Sequence, residues 1–159
     1  MATYKGFMSN CFFSGGAYGV YGGNQQYTVT GFEFVLQSKA AICLIWDWGW
    51  TWSHLFVADT PIGILLINPE DTSGPQAGST YIMDSLFDGV GVVVHASAIP
   101  PTVLGSSIIT LDNIAVASVD TMVTFADGSS LEIPVQATQF VIVGNVAANG
   151  CVFLFLFSS

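Results

Sequence analysis

A degenerate repeat of 21 to 28 residues constrains the fold of this 159-residue chain more than any other feature. Each unit opens with an apolar strand that a small or polar pair interrupts, and a second short apolar strand follows. Turn residues separate the units. The five units are Gly6–Gln26, Tyr27–Trp50, Thr51–Gly78, Ser79–Ser106 and Ser107–Pro134. The interrupting pairs are Ser9-Asn10, Thr30-Gly31, Ser53-His54, Asp84-Ser85 and Asp112-Asn113.

This pattern predicts an all-β solenoid, because β-rich units of this length without a helical period each form one coil of a stack. We expect a single-stranded right-handed parallel β-helix of about five coils, truncated at both ends. One inward position per coil would build a continuous core: Phe13, Phe34, Val57, Phe87 and Val116. A β-sandwich of about ten short strands is the alternative. The repeat predicts a partial β-helix domain over residues 1–134 and a non-repeating apolar tail, either a capping strand or a gene-model artefact, over residues 135–159.

Charge narrows the possible partners. Two lysines, no arginine and eleven acids give a net charge of −9, which argues against nucleic acid and anionic membrane surfaces, whose affinity depends on basic residues. The two uncharged stretches, 89–111 and 133–159, contain too many polar residues and prolines to predict a membrane span. The first fifteen residues lack the apolar centre of a signal peptide. The three cysteines have neither metal-binding spacing nor an even number.

All four tryptophans occur in one short segment, at every second position: Trp46, Trp48, Trp50 and Trp52. In one extended strand they would share a face, and Asp47 would lie on the other. Such a row of indoles serves as the centre of a core, as a platform for a sugar ring, or as both, with one or two tryptophans packed inward and others forming a glucose-stacking wall. For Asp47 the alternatives are a hydrogen bond to sugar hydroxyls or a carboxylate tied to backbone amides.

Several motifs, in order, resemble fungal exo-β-1,3-glucanases of glycoside hydrolase family 55. They include Gly6-Phe7-Met8-Ser9-Asn10, Gly23-Asn24-Gln25-Gln26-Tyr27-Thr28 and Trp46-Asp47-Trp48-Gly49-Trp50-Thr51, and a looser similarity continues to about Pro134. The resemblance implies part of the first of two parallel β-helices, from an extracellular enzyme that releases glucose from β-1,3-glucan with inversion. The second β-helix domain would then be a missing partner, and the substrate would be β-1,3-glucan or laminari-oligosaccharides.

The resemblance also implies roles for individual residues. Gln25 or Gln26 matches a glutamine that helps to hold the attacking water, and Ser53 is a candidate for a serine with the same role. Asn24, Asp47 and the four tryptophans are candidates for substrate binding. The amides Asn24, Gln25 and Gln26 have a structural alternative, a corner that satisfies backbone groups. No metal or cofactor is expected, since His54 and His95 stand alone in the sequence.

The general acid of an inverting glycosidase is not evident in this chain. Glu33, Glu70 and Glu132 each fit a solvated position better than a catalytic one, so the resemblance implies that the acid lies elsewhere and that the chain alone is inactive. Two other readings stay open. One is a carbohydrate-binding or structural β-helix without catalysis. The other is a polyuronate lyase or polygalacturonase, in which Asp84 and Asp112 of adjacent coils would approach a cation, although the net charge of −9 would repel an acidic polymer.

Overall fold

The computed structural model describes residues 5–67, 79–96, 107–125 and 139–149, and these contain strands but no helix. No segment of that part therefore forms a helix that could cross a bilayer. The strands are β1 Gly6–Ser9, β2 Phe12–Ser14, β3 Tyr18–Gln25, β4 Tyr27–Thr30, β5 Glu33–Val35, β6 Ala40–Trp48, β7 Trp50–Ser53, β8 Phe56–Ala58, β9 Ile62–Leu66, β10 Ser79–Asp88, β11 Val92–Ala96, β12 Ser107–Ala117, β13 Thr121–Phe125 and β14 Gln139–Asn149.

The strands form two sheets, and every pairing among them is parallel. One sheet has nine strands, in which β1, β4, β7, β10, β12 and β14 lie at successive levels. The other has the order β13-β11-β9-β6-β3. Each strand pairs in parallel with the equivalent strand of the next coil and not with its neighbour in the sequence, so the chain winds as a parallel β-helix. The predicted solenoid of about five coils is confirmed, and the antiparallel pairing of a β-sandwich is absent from the described strands.

Strand register gives the length of each coil. Phe12, Glu33, Phe56, Leu86 and Ala115 occupy one position in five successive coils, so the coils advance by 21, 23, 30 and 29 residues. The two longer coils contain residues 68–78 and 97–106, which lie outside the described part. Strand β14 pairs with β12 one level beyond the fifth coil. The boundary predicted at residue 134 stays a prediction, because residues 126–138 and 150–159 are also outside that part.

One row of inward side chains runs through the centre of all five coils. The register joins the predicted inward positions Phe13, Phe34, Val57, Phe87 and Val116 in one line through the stack. Phe34, Val57 and Phe87 are fully buried, and the rings of Phe13 and Phe34 stack 5.1 Å apart. This core row is confirmed. No coil could bury it alone, because each ring is covered by the coils above and below.

The interrupting pairs of the repeat are bends in the nine-stranded sheet. One residue of each coil has a left-handed backbone conformation there: Asn10, Gly31, His54, Asp84 and Asn113, with φ between 49° and 67°. The coils are joined at this bend by main-chain hydrogen bonds, such as His54 N to Met83 O at 3.2 Å. Asn, Asp and Gly adopt this conformation most readily, which is why a small or polar residue recurs at the bend. We call this row the regular corner.

Candidate functional site

A second corner joins the five-stranded sheet to the nine-stranded sheet and carries most of the predicted site residues. We call it the tryptophan corner and define it as residues 24–26 of the first coil and residues 47–50 of the second. Gln26 (φ 56°) and Gly49 (φ 77°) make the bends at its two levels. Gln26 N donates to Trp48 O at 2.8 Å, so the two levels lie directly on one another. The pairing of β3 with β6 shifts by one residue between Gly22 and Gly23.

The bend at Gly49 divides the tryptophan segment. Trp48 precedes the bend and is 48% exposed, whereas Trp50 and Trp52 follow it and point into the core, with Trp52 fully buried. The rings of Trp50 and Trp52 stack 5.2 Å apart. The prediction of one continuous aromatic row is therefore wrong, because a left-handed glycine ends β6 and redirects the chain. The side chain of Trp46 lies outside the described part.

Asp47 is buried completely beneath this corner. Its Oδ1 accepts a hydrogen bond from Trp50 N at 3.2 Å, and its Oδ2 accepts one from the hydroxyl of Thr80 in the next coil. Burial raises the pKa of Asp47 to about 7, against the opposing effect of the two hydrogen bonds. Because no surface of its carboxyl is accessible, Asp47 has the geometry of a corner carboxylate and not of a group that contacts a sugar.

The main chain of residues 24–26 is hydrogen-bonded to the second level of the corner. Trp50 Nε1 donates to the main-chain oxygen of Asn24 at 2.6 Å. Asn24 Oδ1 accepts from Gln25 N at 2.8 Å, so the Asn24 side chain is occupied by local backbone. Gln25 is half-buried and Gln26 is exposed. A Cβ on Gly49 would be 3.9 Å from Cγ of Gln26, which places the exposed Gln26 side chain beside the bend, and Gln25 is the residue that pairs with Trp48 in the ladder between β3 and β6.

Ser53 lies at the far end of β7, the strand that begins at Trp50. It pairs with Thr30, four residues after Gln26, which corresponds to about 13 Å along a strand. Its side chain is 9% exposed, and Oγ donates to Val29 O at 3.5 Å. The structure therefore brings Gln25 and Gln26 to the corner that carries Trp48 and keeps Ser53 apart from them. A single water held jointly by Gln26 and Ser53 is not part of this geometry.

The described acids do not form a second catalytic group at the tryptophan corner. Glu33 is exposed on β5, beyond the regular corner, and Glu70 and Glu132 lie outside the described part. Asp84 and Asp112 are not at matching positions, because Asp112 pairs with Met83. Asp84 accepts from Asn113 Nδ2 at 2.6 Å, and Asp112 accepts from Tyr81 Oη at 3.0 Å. No group of three His, Cys, Asp or Glu in the described residues could hold a metal ion.

Thr80 is the member of the corner that sequence reasoning missed. It continues the inward row formed by Tyr27 and Trp50 and is 2% exposed. A hydroxyl at a position where two preceding coils carry the aromatic residues Tyr27 and Trp50 is a signal, because buried polar groups require partners. The signal is readable only with the register between coils, since Thr80 lies 33 residues from Asp47.

Two kinds of comparison identify relatives of this chain. Residues 1–65 match the family described as "Rhamnogalacturonase A/epimerase, pectate lyase-like". Over 130 residues, or 79% of its length, the chain is 33% identical to a protein of Arthroderma benhamiae named probable glucan endo-1,3-beta-glucosidase, of which it covers 14%. It is 30% identical over 134 residues, or 80% of its length, to a glucan 1,3-beta-glucosidase of Cochliobolus carbonum, of which it covers 17%.

A further relative has a different name. The chain is 39% identical over 85 residues, or 52% of its length, to the non-secreted LysM effector LysM19 of Penicillium expansum, of which it covers 7%. No solved structure matches the chain. The chain thus spans less than a fifth of the length of each of these curated relatives.

Proposed function

Because this chain is a parallel β-helix of the pectate-lyase-like superfamily and resembles part of the fungal glucan 1,3-β-glucosidases, we propose that it is the glucan-binding part of a glycoside hydrolase. Its ligand is β-1,3-glucan or a laminari-oligosaccharide. We expect the complete protein to be extracellular, as in the family that the sequence resembles.

The observation that supports this proposal is the pairing of an exposed indole with an exposed amide at the tryptophan corner. Trp48 offers a flat apolar face of the kind that stacks on a sugar ring. Gln25 pairs with Trp48, and the exposed Gln26 lies beside the adjoining bend. Their side chains can both donate to and accept from sugar hydroxyls. Trp50 and Trp52 support the corner from inside the core, so their contribution is to hold the platform and not to contact the ligand.

The proposed chemistry is incomplete within this chain. An inverting glycosidase places a general acid and a water-activating group about 6.5–9.5 Å apart on opposite faces of the sugar. Gln25 and Gln26 supply amides that can orient a water, and Ser53 is a more distant candidate. The only described carboxyl at the corner, Asp47, is buried. We therefore propose that the general acid belongs to another part of a longer protein, a second β-helix that faces this one. The 159-residue chain alone is expected to hydrolyse laminarin slowly or not at all.

A titration with laminari-oligosaccharides, followed by tryptophan fluorescence, tests the binding part of the proposal. Saturable quenching or enhancement is expected for the wild-type chain and is expected to disappear in Trp48→Ala. Tyr21→Ala is the matched control, because Tyr21 is also an exposed aromatic residue on the surface, at 59% exposure, and is outside the tryptophan corner. An equal loss of response in both variants, or no response in the wild type, would overturn the proposal.

The second candidate function is that of a carbohydrate-binding β-helix that takes no part in hydrolysis, even within a longer protein. It is supported by the lack of an accessible acid among the described residues of the tryptophan corner. The decisive measurement is the release of glucose from laminarin by the purified chain. Release at a rate typical of glycosidases would place the acid in this chain and would contradict the proposed division of the site. Oligogalacturonides serve as the control ligand, since the net charge of −9 should repel an anionic polymer.

A further inference from the structure

We propose that Asp47 is the positioning residue of the tryptophan corner: its buried carboxyl ties the turn to the next coil and, through Trp50, to the preceding coil, and thereby holds Trp48 beside Gln25 and Gln26. The nature of the ligand rests on the proposed function. The positioning role does not, because it is a statement about the geometry of the corner and can be measured without a ligand.

The first link is within the corner itself. Asp47 Oδ1 accepts from Trp50 N, which closes a tight turn around Trp48 and Gly49. Gly49 takes the left-handed conformation that this turn requires. Trp48 is thereby placed at the apex of the turn, where its indole is 48% exposed, while Trp50 is directed into the core.

The second link reaches the next coil. The hydroxyl of Thr80 donates to Asp47 Oδ2, and Thr80 pairs with Trp50 in the parallel ladder between β7 and β10. Both side chains are almost completely buried. Hydrogen bonds shielded from water in this way are stronger than exposed ones and costly to leave unmade, so the turn is fixed relative to the coil that follows it.

The third link reaches the preceding coil through Trp50. Its Nε1 donates to Asn24 O at 2.6 Å, and its ring stacks on Tyr27 at 4.8 Å. Asn24 and Tyr27 flank Gln25 and Gln26 in the sequence. Since Gln26 N donates in turn to Trp48 O, the orientation of Trp50 that Asp47 sets fixes both sides of the exposed indole–amide pair.

Two substitutions separate the acceptor role of Asp47 from its charge. Asp47→Asn keeps an oxygen for Trp50 N and can donate to the Thr80 oxygen, so it preserves both links in neutral form. Asp47→Ala removes both. The raised pKa of Asp47, about 7 because of burial, indicates that the neutral form is accommodated at this position. Asn is therefore expected to substitute for Asp, and Ala is not.

Three measurements on the full chain test the proposal. The exposure of Trp48 is obtained from acrylamide quenching, as the difference between each protein and its Trp48→Phe counterpart. The protection of the Trp50 indole N–H is read from hydrogen exchange by NMR. The affinity for laminarihexaose is measured by titration. Thermal melting accompanies all three, so that every comparison is made where the variant is folded.

Asp47→Ala is expected to speed exchange of the Trp50 indole N–H, to change the quenching of Trp48 and to weaken laminarihexaose binding by about tenfold or more, the effect of losing one or two buried hydrogen bonds. Asp47→Asn is expected to stay within about twofold of the wild type in all three. If Asp47→Ala does not fold, Thr80→Val is used in its place, since it removes only the link to the next coil.

Val123→Ala is the matched control, because Val123 is fully buried in the core and belongs to β13 of the fifth coil, far from the corner. It is expected to lower the melting temperature without changing the three corner measurements. The proposal is overturned if Val123→Ala changes them as much as Asp47→Ala does, or if Asp47→Ala leaves Trp48 quenching and Trp50 protection unchanged. Absence of laminarihexaose binding by the wild type would overturn the proposed function alone, and the two ligand-free measurements would still decide the role of Asp47.

Discussion

The regular corner and the tryptophan corner both bend at residues with a left-handed backbone conformation but are built in different ways. The regular corner uses one left-handed residue per coil, in turn Asn, Gly, His, Asp and Asn, and main-chain hydrogen bonds between coils. Side-chain hydrogen bonds, such as that from Asn113 to Asp84, are added in some coils. The tryptophan corner depends on particular side chains, since Asp47 is bonded to Thr80 and Trp50 is bonded to Asn24. A corner that depends on the backbone tolerates many sequences, whereas one that depends on buried side chains tolerates few. Site-specific chemistry is therefore expected at the second.

The largest loss of stability is expected from a substitution on the inner side of the tryptophan corner. Trp52→Ala removes a fully buried indole and should lower the free energy of unfolding by about 3–5 kcal/mol, because a cavity remains. Trp48→Ala, on the outer side of the same corner, should change it by less than about 1 kcal/mol. Urea unfolding of the two variants measures the difference. Equal losses would show that Trp48 also supports the core.

The second prediction is that the free energy of unfolding depends on pH through Asp47. Its pKa is about 7 in the folded chain and about 3.8 when exposed. A group whose pKa rises on folding contributes stability that is fully present below the unfolded value and is lost as the pH rises through the folded value. Between pH 4 and pH 8 the free energy of unfolding should therefore fall by up to about 4 kcal/mol through this group.

Asp47→Asn should remove that fall, and urea unfolding of both proteins at several pH values measures it. The difference between the two curves is needed, because burial lowers the pKa of His95 and gives the opposite trend, a loss of stability as the pH falls. Parallel curves for wild type and Asp47→Asn would show that Asp47 does not titrate in this range. Asp88→Asn, at an exposed position, is the control for loss of one negative charge.

A smaller effect is expected at the bend of the tryptophan corner. Gly49 has a φ of 77°, and a Cβ there would meet no atom closer than 3.9 Å. Gly49→Ala should therefore cost only the conformational penalty of a left-handed residue, about 1–2 kcal/mol. Because this penalty acts on the turn that carries Trp48, a loss of laminarihexaose affinity should accompany it. Thermal melting together with fluorescence titration tests both parts.

The smallest effect is expected at the regular corner. His54 has a φ of 54° and an exposed side chain, and its ring contacts only Thr30 Oγ1, at 3.4 Å, among the bonds of the described residues. His54→Gly relieves the left-handed strain but gives the unfolded chain more freedom, so the net change in melting temperature should be close to zero. A large destabilisation would show that this corner also depends on a particular side chain.

The coil repeat was accessible from the sequence because it follows from local rules. Small or polar residues recur where the backbone must be left-handed, and apolar residues recur at inward positions, so the bends at Asn10, Gly31 and His54 and the core row through Phe34 and Phe87 could be predicted. The continuous tryptophan row could not, because alternation holds only within an uninterrupted strand. Gly49 was visible as a glycine, but its left-handed φ was not. Likewise the pairs Asp84-Ser85 and Asp112-Asn113 were aligned one residue out of register, since Asp84 forms the bend of its coil whereas Asp112 precedes the bend residue Asn113.

The sequence by itself indicated the architecture: a chain with few charges, frequent turn residues and a repeat of roughly one coil favours burial of its apolar side chains by stacked coils. The parallel pairing of the described strands decided against a β-sandwich. Only the tertiary structure decided which tryptophan faces solvent and what Asp47 does. Those properties depend on contacts between residues more than twenty positions apart, such as Trp50 with Asn24 and Asp47 with Thr80. The repeat aligned the core row of successive coils, but no local pattern in the sequence specifies how side chains are oriented at an irregular bend such as the one at Gly49.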